Sequence, residues 1–468
     1  MPSVQPDRHP RRDWALAIAA GLVASLSAVG QTRHTLNYAP GKSITLSLPD
    51  AFDINIAVSG LRRVRFFAQA PDGRIFATGM DNLTDNSRGV VYILDGWDER
   101  THTFARTIKY LDHLRNPNSI AFWTDPATEQ AWLYIALTDK LVRYKYSSGD
   151  IKPPSQPETL IRFPDYGLNY KYGGWHLTRT IAIAPVNDKP RVFVAVGSSC
   201  NYCREREVLR AAIVAMDPDG KNQAIIAQGM RNAVGLSYIP EVDKASLFAT
   251  NMGDDHLGDK LPEDPFFSVN ANPGHAVNFG WPACYFAGGK AVLDRTPFPT
   301  TDAQTSGSPS IQSADDSAYG KQTGVAKAGT NLAAGGGHAP IHDPNAALGH
   351  APEPLKNCDQ VPAAYMAFPA HSSPLGFVHF SASDPNLSGS FLVALHGAGH
   401  PRVGSGYRVV RFTASDRKPK DFITGFLTSA GGKLVVQGRP CGLLRVGPDA
   451  FLLTDDYLGL VYYVHPRG

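Results

Sequence analysis

The 468-residue chain carries little charge of either sign. Charged residues make up 19% of it, and 45 Lys and Arg against 42 Asp and Glu leave a net charge of +3. So even a balance leaves no electrostatic footprint for nucleic acid, which calls for clustered positive excess. Long apolar stretches are scarce too. The exception runs from Trp14 to Val29, 16 residues, which is short of the roughly 20 that span a bilayer. It follows Arg8, Arg11 and Arg12 and ends on Ala28, Val29 and Gly30, the layout of a cleavable export signal over residues 1–30. The remainder, 31–468, is then expected to be periplasmic or secreted, with no stable membrane span once the signal is removed.

Cysteine is also sparse, with Cys200, Cys203, Cys284, Cys358 and Cys441. An odd number leaves at least one thiol unpaired within the chain. Cys200 and Cys203 form a CxxC without the second ligand pair a zinc site needs or the helix that follows a thioredoxin motif, which favours a tight local disulfide. A Cys284–Cys358 bridge would tether the ends of a long polar stretch and leave Cys441 free.

Glycine and proline, by contrast, are plentiful. The 44 Gly and 36 Pro make about 17% of the chain, against a usual share of about 12%, so turns are many and long helices few. With 43% hydrophobic residues the chain can still bury a sizeable core. Its organisation comes from a repeat. Short apolar strands recur at Ile75-Phe76-Ala77, Tyr134-Ile135-Ala136, Phe193-Val194-Ala195, Phe248-Ala249, Phe391-Leu392-Val393 and Phe451-Leu452-Leu453, with aromatic positions 58, 59, 55, 143 and 60 residues apart. A period of roughly 58 residues suits a four-stranded sheet, and six such sheets make an all-β, six-bladed β-propeller. A two-sheet sandwich is the competing architecture, but it demands no such period. The long interval contains a low-complexity segment at about 297–354, expected as an insertion between the fourth and fifth blades.

Polar residues cluster in the loops flanking the repeat strands. His176-Leu177-Thr178-Arg179, Val196-Gly197-Ser198-Ser199-Cys200-Asn201, Arg231-Asn232-Ala233-Val234-Gly235-Leu236, Asn251-Met252-Gly253-Asp254-Asp255 and Phe279-Gly280-Trp281-Pro282-Ala283-Cys284-Tyr285 occur in that order. Ser373-Pro374-Leu375-Gly376-Phe377, Val393-Ala394-Leu395-His396-Gly397 and Gly438-Arg439-Pro440-Cys441-Gly442 continue it. Together these strings resemble the glucose/sorbosone dehydrogenase family of soluble quinoproteins, from about Val58 to the C-terminus apart from the insert. The Ser-Ser-Cys-Asn form resembles the sorbosone-type branch.

The resemblance implies a propeller that binds pyrroloquinoline quinone (PQQ) and Ca2+ at its mouth and oxidises a sugar or sugar aldehyde. Electrons would pass to an external acceptor. By resemblance, His176 is the catalytic base and Arg231, with Asn232, binds the cofactor and stabilises charge on it. Asn118, Arg402 and Arg439 are further cofactor contacts, Arg402 one position out of register because Pro401 occupies the aligned place. Main-chain carbonyls at Gly253 and Asp254 would hold calcium, a hard cation that favours oxygen ligands. An imidazole suits the base's task because it is neutral at ordinary pH. The plainer reading of the same residues is a histidine bonded to a loop carbonyl and an arginine paired with an aspartate after Gly253. Glucose-oxidising relatives orient the histidine with an aspartate, whereas Ser198 stands in that region here. Two other functions remain open: a calcium-dependent propeller lactonase, which needs several carboxylate or asparagine ligands converging from different blades, and a non-catalytic sugar-binding propeller.

Overall fold

The computed structural model describes residues 30–164, 176–298, 345–399 and 401–468. The expected export signal therefore lies outside the described residues apart from Gly30, as does most of the low-complexity segment. Six sheets follow one another along the chain as the blades of a β-propeller. Their first strands are Val64–Gln69, Ser119–Thr124, Arg179–Val186, Ala233–Tyr238, Pro374–His379 and Pro440–Gly447. Each packs against the next, and the sixth against the first, which closes the ring. No α-helix occurs among the described residues.

The repeat legible in the sequence is the second strand of every blade. Ser246–Asn251, Ser390–Leu395 and Ala450–Asp455 are buried along their whole length, because neighbouring blades cover both faces of each sheet. A strand buried on both faces reads as a continuous apolar run, not an alternation. The six marker aromatics, Phe76, Tyr134, Phe193, Phe248, Phe391 and Phe451, are all fully buried. Replacing Phe193 by alanine is expected to cost about 3–5 kcal/mol, measurable as a lower denaturant midpoint. A cost under about 1 kcal/mol would mean that the blade interface is not close-packed there.

Two features escape a local reading. Blade 6 is completed by Phe52–Val58 from the other end of the chain, which pairs antiparallel with Leu460–Pro466 in the register Ile54↔Val464. Ahead of it, the hairpin Gln31–Ala39 and Lys42–Pro49 is tied to blade 5 by reciprocal 2.9 Å bonds between the Ser47 and Thr424 backbones. That hairpin buries Ile44, Leu46 and Leu48 in the core shared by blades 5 and 6.

The position of the insertion needs correction. The short strand Met366–Phe368 pairs with Asp264–Asn270 as the outer strand of blade 4. The low-complexity segment therefore falls between the third and fourth strands of blade 4, not between blades 4 and 5. Three residues of strand carry too little pattern to be seen in sequence. Cys284–Cys358 bridges the base of this excursion across 74 residues, Cys200–Cys203 is also bonded, and Cys441 is a buried thiol. Closing a loop of that length contributes on the order of 4 kcal/mol in the chain-entropy account.

Candidate active site

Because the first strands run in parallel around the ring, the loops that enter them share one rim. Asn118, His176, Arg231 with Asn232, and Arg439 stand in those entrances, directly before or within three residues of the strands they precede. Hydrogen bonds link them around the rim. Arg65 Nε donates to Asn118 Oδ1 at 3.1 Å, Asn118 Nδ2 to the Arg179 carbonyl at 3.3 Å, and the Ser198 amide to the Arg231 carbonyl at 2.7 Å.

The half-buried His176 has its Nδ1 3.0 Å from the Ser198 carbonyl and 2.9 Å from Ser198 Oγ. A carbonyl can only accept, so Nδ1 carries the proton and the lone pair lies on Nε2. The Ser198 hydroxyl donates to the Cys200 carbonyl at 2.6 Å, which turns its oxygen toward Nδ1 as a second acceptor. Serine thus does by two dipoles what an aspartate would do by charge: it fixes tautomer and ring plane, and its pull toward the imidazolium is outweighed by burial and the Arg231 charge. Burial holds the His176 imidazole well below its ordinary value, and the nearby Arg231 and Arg210 charges add to that against the Ser198 bond and Asp255. The plain reading, a histidine bonded to a loop carbonyl, is true of its Nδ1 and is what prepares Nε2 as a base.

Gly197 lies between His176 and Asn232. A Cβ placed there would meet His176 Cβ at 2.5 Å and Asn232 Oδ1 at 2.6 Å, so only glycine lets the two approach. Gly197→Ala is expected to lower any turnover of the site at least about tenfold while leaving the melting temperature within a few degrees, since one neighbour must shift. Unchanged kinetics would show that the approach is irrelevant.

The Arg231 guanidinium, 4% exposed, is pinned on three sides. Its Nε donates to the Asn201 carbonyl at 2.8 Å, one terminal nitrogen to Asn201 Oδ1 at 2.6 Å, and the other to the Gly253 carbonyl at 2.7 Å. Asp255 lies 3.5 Å away. Asn232 donates from Nδ2 to Met252 Sδ at 3.4 Å, and its buried Oδ1 has no partner among the described residues. An orphaned buried acceptor beside a fixed cation fits a ligand that brings both a donor and anionic oxygens. PQQ, with its pyrrole N–H and carboxylates, has both.

For calcium, the Gly253 carbonyl already accepts from Arg231 and keeps one lone pair. The Asp254 Oδ1 lies 2.7 Å from His256 Nδ1 as an ion pair without the alignment of a hydrogen bond, and the Asp254 main-chain oxygen is the ligand the resemblance assigns. His256 also reaches Asp294 from Nε2 at 2.7 Å. The two carboxylates raise its pKa against burial. The residues fit a calcium ion through main-chain carbonyls, with Asp255 supplying the local negative charge.

The remaining sequence candidates separate. Asn118 is fully buried and spends its hydrogen bonds on Arg65, the Arg179 carbonyl and Thr180 Oγ1, so its side chain joins blades 1, 2 and 3 instead of facing a ligand. Arg439 is buried in the rim and donates to the Gly397 and Ala398 carbonyls at 3.1 and 3.0 Å. Arg402 lies in the short 3-10 turn Pro401–Val403, and its side chain is outside the described residues. Sequence reasoning passed over His371, whose Nδ1 and Nε2 meet Asp255 Oδ1 at 3.1 Å and the Gly258 carbonyl at 2.8 Å. Its one available signal was its place two residues before Ser373-Pro374.

Two acceptors require an imidazolium, and the hydrogen bond to Asp255 pushes the His371 pKa up to about 9. A histidine raised in this way contributes its stability in full below its unfolded value near 6.5 and loses it as pH rises through about 9. The melting temperature of His371→Ala is therefore expected to fall below that of the parent at pH 6 and to converge with it above pH 9. A gap that stays constant with pH would mean that the pair is not ionised.

No family model matches the chain. An uncharacterized protein of Borreliella burgdorferi is 23% identical over 433 residues, 90% of this chain and 91% of that protein. Among solved structures, the holo form of the PQQ domain of a pyranose dehydrogenase from Coprinopsis cinerea superposes with a TM-score of 0.58 at 15% identity, covering 91% of this chain and 97% of that one. The calcium structure of a Trichoderma reesei carbohydrate-active enzyme of family AA12 gives a TM-score of 0.56 at 15% identity over 90% and 96%. The chain shares their fold. At this identity the likeness extends to the architecture, and the site must be argued from this chain's own residues.

Proposed function

We propose that the protein is a PQQ-dependent dehydrogenase of the glucose/sorbosone dehydrogenase type, exported and acting on a sugar or sugar aldehyde. The observation that carries the reading is the meeting, at one rim, of a neutral His176 with its lone pair on Nε2, the pinned Arg231 and an Asn232 Oδ1 without a partner among the described residues. His176 would take the proton from a substrate hydroxyl at Nε2 while Ser198 keeps the ring from turning. Arg231 holds positive charge where anionic oxygens would lie and needs no reorganisation to do so. The quinone, when bound, supplies the hydride acceptor, and Gly253 and Asp254 carbonyls would hold its calcium. Gly197 leaves the space in which base and amide stay close.

Among the described residues, the one group of three metal-capable side chains within ligating reach is Cys200, Cys203 and Glu205, and those two sulfurs are bonded to each other. That set gives no support to a lactonase. The purified protein, loaded with PQQ and calcium and mixed with aldoses or sugar aldehydes and an artificial dye, is expected to reduce the dye only when both cofactor and sugar are present. Since the His176 pKa is held down, the acid limb of kcat/KM is expected well below pH 6.5. An acid limb above pH 7, or no cofactor-dependent dye reduction with any sugar, defeats the reading.

A further inference from the structure

The loop closed by the short disulfide grips the candidate active site through Cys200, Asn201 and Tyr202. The Cys200 carbonyl accepts the Ser198 hydroxyl at 2.6 Å, which sets the Ser198 oxygen against His176 Nδ1. Asn201 takes Arg231 twice, at its carbonyl and at Oδ1, and the same Oδ1 accepts the Asp255 amide at 3.0 Å. Tyr202 stacks on His256 with ring centroids 4.0 Å apart, and its hydroxyl donates to the Thr296 carbonyl at 2.8 Å. Cys203 returns the chain to Cys200, where the disulfide is buried against Ala211 and Trp281. Behind the ring, the Ser199 amide and hydroxyl both donate to Glu205 at 2.7 Å.

The geometry points to the Cys200–Cys203 ring, with Asn201 at its tip, as a positioning clamp that fixes the orientation of His176 and the seat of Arg231. The physical reason is entropic. An open four-residue loop samples many backbone conformations, and ordering each residue costs conformational entropy, so an uncrosslinked loop would hold both groups loosely. One amide oxygen accepting from two separate elements, Arg231 and the Asp255 backbone, also sets the spacing between them. This inference rests on the functional reading above for the importance of those two groups, but not for its test.

The test uses the full chain without cofactor. The ring nitrogens of His176 are followed by NMR over pH, assigned through their loss in His176→Gln, in the parent, in Asn201→Ala and in Cys200→Ser/Cys203→Ser. Asn201→Ala removes the Oδ1 acceptor from Arg231 and from the Asp255 amide while the Ser198 bond to the Cys200 carbonyl stays, and as the Arg231 charge withdraws it is expected to raise the His176 titration by about one pH unit, a tenfold change in its protonation equilibrium. The double-serine variant frees Ser198 as well and is expected to move the titration and to mix the His176 tautomers. Melting temperatures recorded in parallel separate this from general loosening, which would move other histidines equally. In cofactor-loaded protein the same variants are expected to lose kcat more than KM. If the double-serine variant does not fold, Asn201→Ala, which keeps the disulfide, carries the test. An unmoved His176 titration in either variant that folds overturns the clamp, whether or not the protein reduces a dye.

Discussion

Replacing His176 by alanine is expected to lower sugar-dependent turnover about 10²–10⁴-fold, the range a positioned general base contributes, while cofactor binding survives. A sugar hydroxyl gives up its proton only to a base that is neutral and correctly aimed at working pH. His176 is neutral because burial and the Arg231 charge disfavour its imidazolium. It is aimed because the Ser198 carbonyl and hydroxyl both address Nδ1. Neither Arg231 nor Asn232 depends on His176 for a hydrogen bond among the contacts resolved here, so the cofactor seat should persist. PQQ binding followed by visible absorbance, alongside dye reduction, checks both halves. Turnover within about threefold of the parent would place the base elsewhere.

The second large effect belongs to Arg231. Truncation to alanine strips donors from the Asn201 and Gly253 carbonyls and leaves Asn201 Oδ1 only the Asp255 amide, and a buried acceptor left without a donor costs about 1–3 kcal/mol. Stability and function should therefore fall together, with kcat down about 10²–10³-fold if the guanidinium also steadies developing negative charge. Arg231→Lys keeps the charge but not the planar fork, so it should recover binding of the anionic cofactor better than it recovers turnover. Removing the cation should also move the acid limb of the pH profile upward, because Arg231 is one of the groups that hold the His176 pKa down. Wild-type cofactor affinity in Arg231→Ala would refute the assignment.

Much of the architecture was legible in the chain for a specific reason. The second strands are sandwiched between blades, so Phe76, Tyr134, Phe193, Phe248, Phe391 and Phe451 had to be large and apolar at a fixed spacing. The closing strand Phe52–Val58 had no such signature, since its partner lies some 400 residues away, and pairing at that distance leaves no local pattern. The site divided in the same way. His176, Arg231 and Asn232 stood out as unusual polar residues at strand entrances. His371 and Asn201 gained their meaning from contacts supplied by other loops, and Asn118, equally suggestive in sequence, is committed to its neighbours.

By itself, then, the sequence determined the number of blades, the disulfide pairs and the rim on which polar chemistry gathers, because apolar period and residue type are properties of the chain. Only the tertiary structure decided which nitrogen of His176 is basic, which oxygens Arg231 satisfies, and where in blade 4 the insertion enters. Those are matters of direction and partnership between segments distant in sequence, and hydrogen bonds depend on angle and distance in a way that composition and spacing do not encode.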